Sequence, residues 1–218
     1  MKPTVVYSAY RFAVRFNYIF SAIDLPKFLT GLAVNGYIIT QPIHVPALIH
    51  PYQVNVSGII ATKNGASLDL NTEKNTLGIQ HESLEVVMDR FNEICTIIDN
   101  DIPFMSSIIW FYEFQGNVRY QKNESNLFNV KGKGMDEIIE YSSSIGENIS
   151  VRGIKFGSKG TDPSSPNYFE INIEPYLTNN KELSVTYVYR HKKRGRIFDF
   201  VKKMINTGDN FINLLLHE

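Results

Sequence analysis

Two long segments of alternating apolar and polar residues constrain the fold of this 218-residue chain more than any other feature. Residues 5–16 and 107–120 both follow this pattern; in the first, Phe12 and Val14 alternate with Arg11. A two-residue period is typical of a β-strand that buries one face and exposes the other. Both segments are therefore predicted to be β-strands that are buried on one face.

Each long strand opens a similar series of predicted elements. Residues 4–100 predict the order β-α-β-β-β-β-α, and residues 105–218 predict β-α-β-β-β-α. A repeated order of elements is the signature of an internal duplication. We therefore predict an α+β fold of two tandem halves, residues 1–102 and 103–218.

Local signals support individual elements. Asn64-Gly65 predicts a type I′ hairpin turn, because both of its central residues need positive φ. Apolar residues from Leu84 to Ile98 recur at helical spacing and predict a long amphipathic helix. Further helices are predicted at residues 135–145 and after Arg196, and a second hairpin at Asn179-Asn180.

The duplicated order resembles the architecture of the TATA-binding protein family, in which two such halves form a curved sheet. Residues 66–91 read as a strand, a turn containing Lys, a strand ending in Gly, a polar cap and a long helix. That order is similar to the family's strand, Ser-Gly-Lys, strand, Thr-Gly, helix segment, and Asp24-Leu25 opens the first helix much as the family's Leu-Asp-Leu does. The chain departs from the family at Thr72–Asn75, which replaces Ser-Gly-Lys, and its second half is one strand short. The resemblance implies that the two halves form one or more curved antiparallel sheets with helices packed on one face. As one functional alternative, it also implies nucleic-acid binding.

Alternation also names the side chains on the sheet face away from the helices. They are polar, rich in amides and of mixed charge, and they are either a solvated surface or a recognition surface. The candidate binding residues on this face are Arg11, Arg15, Asn55, Gln115, Asn117, Arg119 and Asn172.

Charge is unevenly distributed although 22 Lys and Arg balance 22 Asp and Glu. From residue 181 onward the chain has eight basic and four acidic residues, a net charge of +4 that the preceding residues offset. Five of the positive charges fall within residues 190–196, which predict a basic loop for an anionic partner or, alternatively, a solvated turn. The candidate binding residues here are Arg190, Lys192, Lys193, Arg194 and Arg196. Self-association of this loop with the acidic face of the helix from Glu82 is a further alternative.

Motifs for catalysis or metal binding are absent from the sequence. The single Cys95 lies on an apolar helix face, and no pair of the five histidines has a metal-binding spacing. Glu170 and Glu174 share one strand face, where acid–base chemistry is possible, but their pattern favours ordinary placement on the surface. We expect no cofactor, and the sequence leaves the question of enzymatic activity open while favouring a non-enzymatic protein.

The sequence thus leads to three functional hypotheses. The first is a cytoplasmic binding module that contacts a protein partner, or another copy of itself, through the open sheet face or the 190–196 loop. The second is a nucleic-acid-binding protein of TATA-binding-protein-like build. The third is an enzyme without a recognisable motif. No apolar stretch is long enough for a transmembrane helix, so we expect no membrane association.

Overall fold

A single antiparallel sheet of nine strands organises the described part of the chain. The computed structural model describes residues 4–17, 25–40, 57–121, 153–160, 162–176, 179 and 181–204. The strands are β1 (Thr4–Phe16), β2 (Ile38–Ile39), β3 (Ser57–Lys63), β4 (Ala66–Asn71), β5 (Thr76–His81), β6 (Ile109–Gln121), β7 (Ile154–Gly157), β8 (Tyr168–Pro175) and β9 (Glu182–His191). The helices in the described residues are α1 (Leu25–Val34), α2 (Leu84–Asp101), α3 (Pro103–Ser107) and α4 (194–204).

The two long strands lie side by side in the middle of the sheet. The strand order is β2-β3-β4-β5-β1-β6-β9-β8-β7, and every neighbouring pair is antiparallel. Tyr10 of β1 is opposite Gly116 of β6, near the middle of their shared ladder. The sheet is therefore continuous across the predicted boundary between residues 102 and 103.

The core lies between one face of this sheet and the helices. The Phe12 ring of β1 stacks on Phe91 of α2 and on Phe198 of α4, with ring centroids 5.0 and 5.8 Å apart. Phe28 and Leu32 of α1 are fully buried in the same apolar cluster. Fully burying side chains of this size stabilises a fold by roughly 1.5–3 kcal/mol each, which makes this layer the main source of stability.

Turns and caps follow the sequence signals. Asn64 and Gly65 have φ of 51° and 79°, as a type I′ turn requires, and they join β3 to β4. Gly36, at φ 79°, ends α1 in the left-handed conformation. Ser83 caps α2 by accepting a hydrogen bond from the Val86 amide, which satisfies one of the free donors at the helix start.

The structure confirms the α+β class, the antiparallel sheet and the Leu84–Ile98 helix. It adds α3, which the sequence analysis did not predict. The duplication stays a prediction. The predicted cap at Asp24, the helix at 135–145 and the end of the last helix lie outside the described residues. Among the described residues, no helix is both long and apolar enough to cross a bilayer.

Candidate binding face of the sheet

The sheet has an open face, which we define as the strand side chains that alternate with the core residues and point away from the helices. On β1, Phe12 and Val14 are fully buried against the helices, so Arg11 and Arg15 point the other way. The strand register then assigns side chains on neighbouring strands to the same face. This face includes the predicted Arg11, Arg15, Gln115, Asn117, Arg119, Asn172 and Arg190. The remaining sheet candidate, Asn55, lies outside the described residues.

The predicted basic loop is not one surface. Arg190 is within β9, and helix α4 already begins at Arg194, so only Lys192 and Lys193 form the connection between them. Arg190 points onto the open face, whereas the Arg194 guanidinium lies 3.1 Å from the Asp99 carboxylate of α2 on the helical side. The strand and the helix thus direct Arg190 and Arg194 to opposite sides of the sheet, and anion binding by residues 190–196 stays a prediction.

Arg11 reaches across β5 to the carboxylate of Asp69 on β4. Its Nε and Nη2 donate hydrogen bonds of 3.1 and 2.8 Å to the two carboxylate oxygens, a bidentate arrangement. The path crosses Gly78, where a Cβ atom would lie only 2.1 Å from Nη2 of Arg11. The Arg11 guanidinium thus occupies the space that a side chain at position 78 would fill.

Arg190 forms a second cluster at one end of the open face. Its Nε donates to the carboxylate of Glu113 on β6, and its Nη1 donates to the carbonyl of Pro163. The rings of Phe111 and Tyr168 lie on either side, each with its centroid 5.5 Å from the guanidinium carbon. The segment around Pro163, between β7 and β8, therefore extends over this end of the open face.

Arg119 forms a matching cluster at the other end. Its guanidinium carbon lies 4.4 Å from the ring centroids of both Tyr7 and Tyr176, and its Nη1 donates a 3.1 Å hydrogen bond to Glu182. A guanidinium between two aromatic faces and paired with a carboxylate is held by cation–π and ionic attraction together. Arg119 and Arg190, both predicted as ligand-binding residues, are thus engaged within the protein.

The carboxylates of the open face are engaged as well. Glu170 accepts hydrogen bonds from the Tyr168 hydroxyl and from the Lys155 ammonium, and these donors hold the pKa of Glu170 below its ordinary value. The strand residues of the open face include five cations and five anions among the described residues, so the face has no net charge. The cations are Arg11, Arg15, Arg119, Lys155 and Arg190, and the anions are Asp69, Glu113, Glu170, Glu174 and Glu182.

Two adjacent depressions mark the open face over the central strands. One, of about 880 Å³, is lined by neutral polar side chains such as Gln80, Asn117 and Thr186. The other, of about 850 Å³, lies between the Arg11–Asp69 pair and the Arg190 cluster. Arg11 and Gln115 line both, so the two depressions lie side by side, and we call them together the trough. Each has the volume of a small-molecule or peptide-segment site.

The second depression contains two cations whose charged groups no described residue engages. Within the described residues, no hydrogen bond or ion pair engages the Arg15 guanidinium or the Lys74 ammonium. Arg15 belongs to β1 and Lys74 to the turn between β4 and β5, and both line this depression. Trp110, whose ring centroid lies 5.0 Å from that of Phe111, completes the lining beside them.

A catalytic or metal site does not emerge from the described residues. They contain no group of three His, Cys, Asp or Glu side chains placed to hold a metal ion. Cys95 is buried at 2% exposure, as the sequence predicted, and burial raises the pKa of its thiol to about 11, so it is a poor nucleophile. Glu170 is paired with Tyr168 and Lys155, which hold its pKa below the ordinary value, so Glu170 is ionised near neutral pH and is not a proton donor there.

Comparison of the chain with protein-family models and with curated protein sequences finds no match. The geometry of the open face is therefore the basis for any functional inference.

Sequence reasoning missed the residues that organise this face. Asp69, Gly78, Lys74 and Trp110 were not predicted as site residues, and neither was the segment around Pro163. The alternation of Ser67, Asp69 and Asn71 with buried leucines in β4 did carry a signal that could have assigned Asp69 to the open face. No pattern in the sequence indicates that Gly78 lies beneath Arg11, since their contact depends on the pairing of β1 with β5.

Proposed function

We propose that this chain is a non-enzymatic binding module, and that its partner is a protein segment lying along the trough on the open face. The observation that carries the proposal is the trough itself, with its two depressions over β4, β5, β1, β6 and β9. Its walls carry amides, hydroxyls and guanidinium groups, which bind the backbone and polar side chains of an extended peptide.

The trough is preorganised for binding. The Arg11–Asp69 pair on one side and the Arg190–Glu113 pair on the other are cross-strand contacts between residues 58 and 77 positions apart. Each of the four side chains is only 12–24% exposed, so their positions are fixed by packing as well as by charge. A surface that is ordered before binding loses less conformational entropy when a partner arrives, and affinity rises accordingly.

The charge balance favours a protein partner over a nucleic acid. Five carboxylates among five cations leave the open face without the positive field that concentrates a polyanion. Asp69, Glu113 and Glu170 would each face phosphate groups at close range. A peptide that presents both backbone polarity and a limited number of acidic groups meets no such repulsion.

Site-specific photocrosslinking tests the proposal. A benzoylphenylalanine placed at Asn117 or Thr186 lies in the trough, and the same probe at Glu85 or Asp89 lies on the exposed side of α2. In extracts of the native source, we expect the trough positions to give a discrete crosslinked protein of the same mass, and the α2 positions to give none. Crosslinks at the α2 positions alone would refute a partner on the open face, and a crosslinked species of twice the chain's mass would replace the partner by a second copy of this chain.

A nucleic-acid-binding protein of TATA-binding-protein-like build is the second candidate. What supports it is the strand order, which reads β5, β4, β3, β2 outward from β1 and β9, β8, β7 outward from β6. Two tandem halves joined through their first strands would produce this order, as the predicted duplication requires. Binding to mixed-sequence duplex and single-stranded probes at low salt, falling steeply as salt rises, would favour this candidate. The absence of any shift at 20–50 mM salt would remove it.

A further inference from the structure

We propose that the depression lined by Arg15, Lys74 and Trp110 is the specificity pocket of the trough, and that it takes a carboxylate or phosphate group joined to an aromatic or other planar apolar group. This inference rests on the proposed function, because it names the chemistry that a ligand of the trough presents at this point.

The two cations provide the anion-binding part of the pocket. Arg15 is half-buried on β1, directly opposite Thr76, and Lys74 precedes that strand in the β4–β5 turn. Neither terminal group is engaged by the described residues, unlike the three other arginines of the open face, each of which has a carboxylate partner. A guanidinium binds the two oxygens of a carboxylate or phosphate in a fork, and a nearby ammonium adds a third donor.

The charge of the lining fits a single anionic group. Four cations and three carboxylates line the depression among the described residues, which leaves one positive charge in excess: Arg11, Arg15, Lys74 and Arg190 against Asp69, Glu113 and Asp162. Asp69 and Glu113 are neutralised by Arg11 and Arg190, and Asp162 accepts a 2.7 Å hydrogen bond from the Ser164 amide. One oxyanion would neutralise the excess, whereas a run of phosphates would meet these carboxylates.

The aromatic residues of the lining, Trp110 and Phe111, would contact the planar apolar group of the ligand. Trp110 is half-buried and lines the depression next to Phe111, whose own ring is covered by Arg190. A partly exposed indole in the same depression as cations that no described residue engages is suited to stack a planar group while the cations bind its charged part. The volume of about 850 Å³ accommodates an aromatic acid or an aromatic side chain with an adjacent acidic one.

Fluorescence of Trp110 provides a local assay, because it is the only tryptophan in the chain. We would titrate the full chain with benzoate, phenyl phosphate, inorganic phosphate and the neutral analogue benzamide. We expect saturable changes with benzoate and phenyl phosphate, weaker binding of inorganic phosphate, and none with benzamide. The benzoate and phenyl phosphate titrations distinguish a carboxylate ligand from a phosphorylated one. Equal responses to benzoate and benzamide, or no saturable response to any probe, would overturn the proposal.

Variants assign the response to the two cations. Arg15→Gln should weaken binding of the aromatic anions by about tenfold, and Lys74→Gln by a smaller factor, since a charge-assisted pair is lost in each. Lys155→Gln is the matched control: it removes a cation from the open face outside this depression, and affinity should stay within about twofold on the usual scale of exposed charges. Lys74 is exposed in a turn, so its variant tests the proposal even if Arg15→Gln unfolds the chain. Unchanged affinity in Lys74→Gln and in a folded Arg15→Gln would refute the assignment.

Failure of this inference and failure of the proposed function are distinguishable. If the photocrosslinks form at Asn117 and Thr186 but Trp110 does not respond to the aromatic anions, the trough binds a partner of another chemistry. If Trp110 responds and no protein crosslinks, the pocket binds a free small anion and the protein-partner function is wrong.

Discussion

The contact between Arg11 and Gly78 makes an unusual prediction about a glycine in the middle of a strand. Gly78 has no positive φ, so its backbone does not require glycine, and alanine should be the better residue in a strand by roughly 0.5–1 kcal/mol. In this chain, however, an alanine Cβ would lie 2.1–2.7 Å from three atoms of the Arg11 guanidinium group, and the arginine would have to move away. Gly78→Ala should therefore break the pair between Arg11 and Asp69.

The magnitude follows from the geometry of that pair. It is bidentate, and its two side chains are 22% and 24% exposed. We assign about 1.5 kcal/mol to it, above the usual value for a solvent-exposed pair and below that for buried charged hydrogen bonds. After subtracting the backbone gain, Gly78→Ala should destabilise the native chain by about 0.5–1 kcal/mol. In an Arg11→Ala background, where no guanidinium lies over position 78, Gly78→Ala should stabilise the protein by about the same amount.

A double-mutant cycle measures this reversal. Urea unfolding of the four proteins, followed by far-UV circular dichroism, should give a coupling energy of about 1.5 kcal/mol between positions 11 and 78, with unchanged m-values. Gly157→Ala is the control, because its Cβ would meet only the Phe169 carbonyl oxygen, at an ordinary 3.4 Å, and it should show no coupling to position 11. If Gly78→Ala changes the free energy of unfolding by the same sign and amount in both backgrounds, the Arg11 guanidinium does not lie over Gly78 and the prediction is wrong.

Three further predictions follow from local geometry. Because burial raises the pKa of the Cys95 thiol to about 11, labelling by a disulfide reagent at pH 8 should be at least ~100-fold slower in the native chain than in urea; equal rates would contradict its burial. Tyr168 and Lys155 lower the pKa of Glu170. The stabilisation that ionised Glu170 provides is therefore complete above its ordinary pKa of 4.5, and it is lost as the pH falls through the lower pKa of the folded state. The stability difference between wild type and Glu170→Gln should accordingly shrink on acidification, as pH-dependent urea unfolding would show. Gly65→Ala should cost about 1 kcal/mol in the same assay, because Gly65 has φ of 79° in the hairpin turn, and a neutral effect would contradict a type I′ turn.

The sequence was sufficient to predict elements whose cause is local. The Asn64-Gly65 turn, the apolar stripe of α2 and the alternation of β1 and β6 each depend on residues within a few positions of one another, and the structure confirms them. The same alternation assigned Arg11 and Arg119 to the correct face. What it could not supply is which strand lies beside which, because strand order is fixed by packing between distant segments.

The candidate site depends on contacts between strands that are distant in sequence, and the sequence was insufficient to predict these contacts. The partner of Arg190 is 77 residues away at Glu113, and whether an arginine is free or paired changes its function completely. The cluster at 190–196 has a strong compositional signal, yet Arg194 and Arg190 are directed to different sides of the sheet. The positive charges of this segment therefore do not all lie on one surface, and their binding of an anionic partner stays a prediction.

This difference between paired and unpaired arginines determines how mutations on the open face should be interpreted. Removing Arg119 leaves Glu182 without its cationic partner, and removing Arg190 does the same to Glu113. Each change also removes a guanidinium that lies against aromatic rings. A loss of binding in either variant could therefore follow from a change in the protein itself. Removing Arg15 leaves no carboxylate of the described residues unpaired. A binding defect in Arg15→Gln with unchanged stability is therefore direct information about the ligand, whereas the same defect at the other arginines is not.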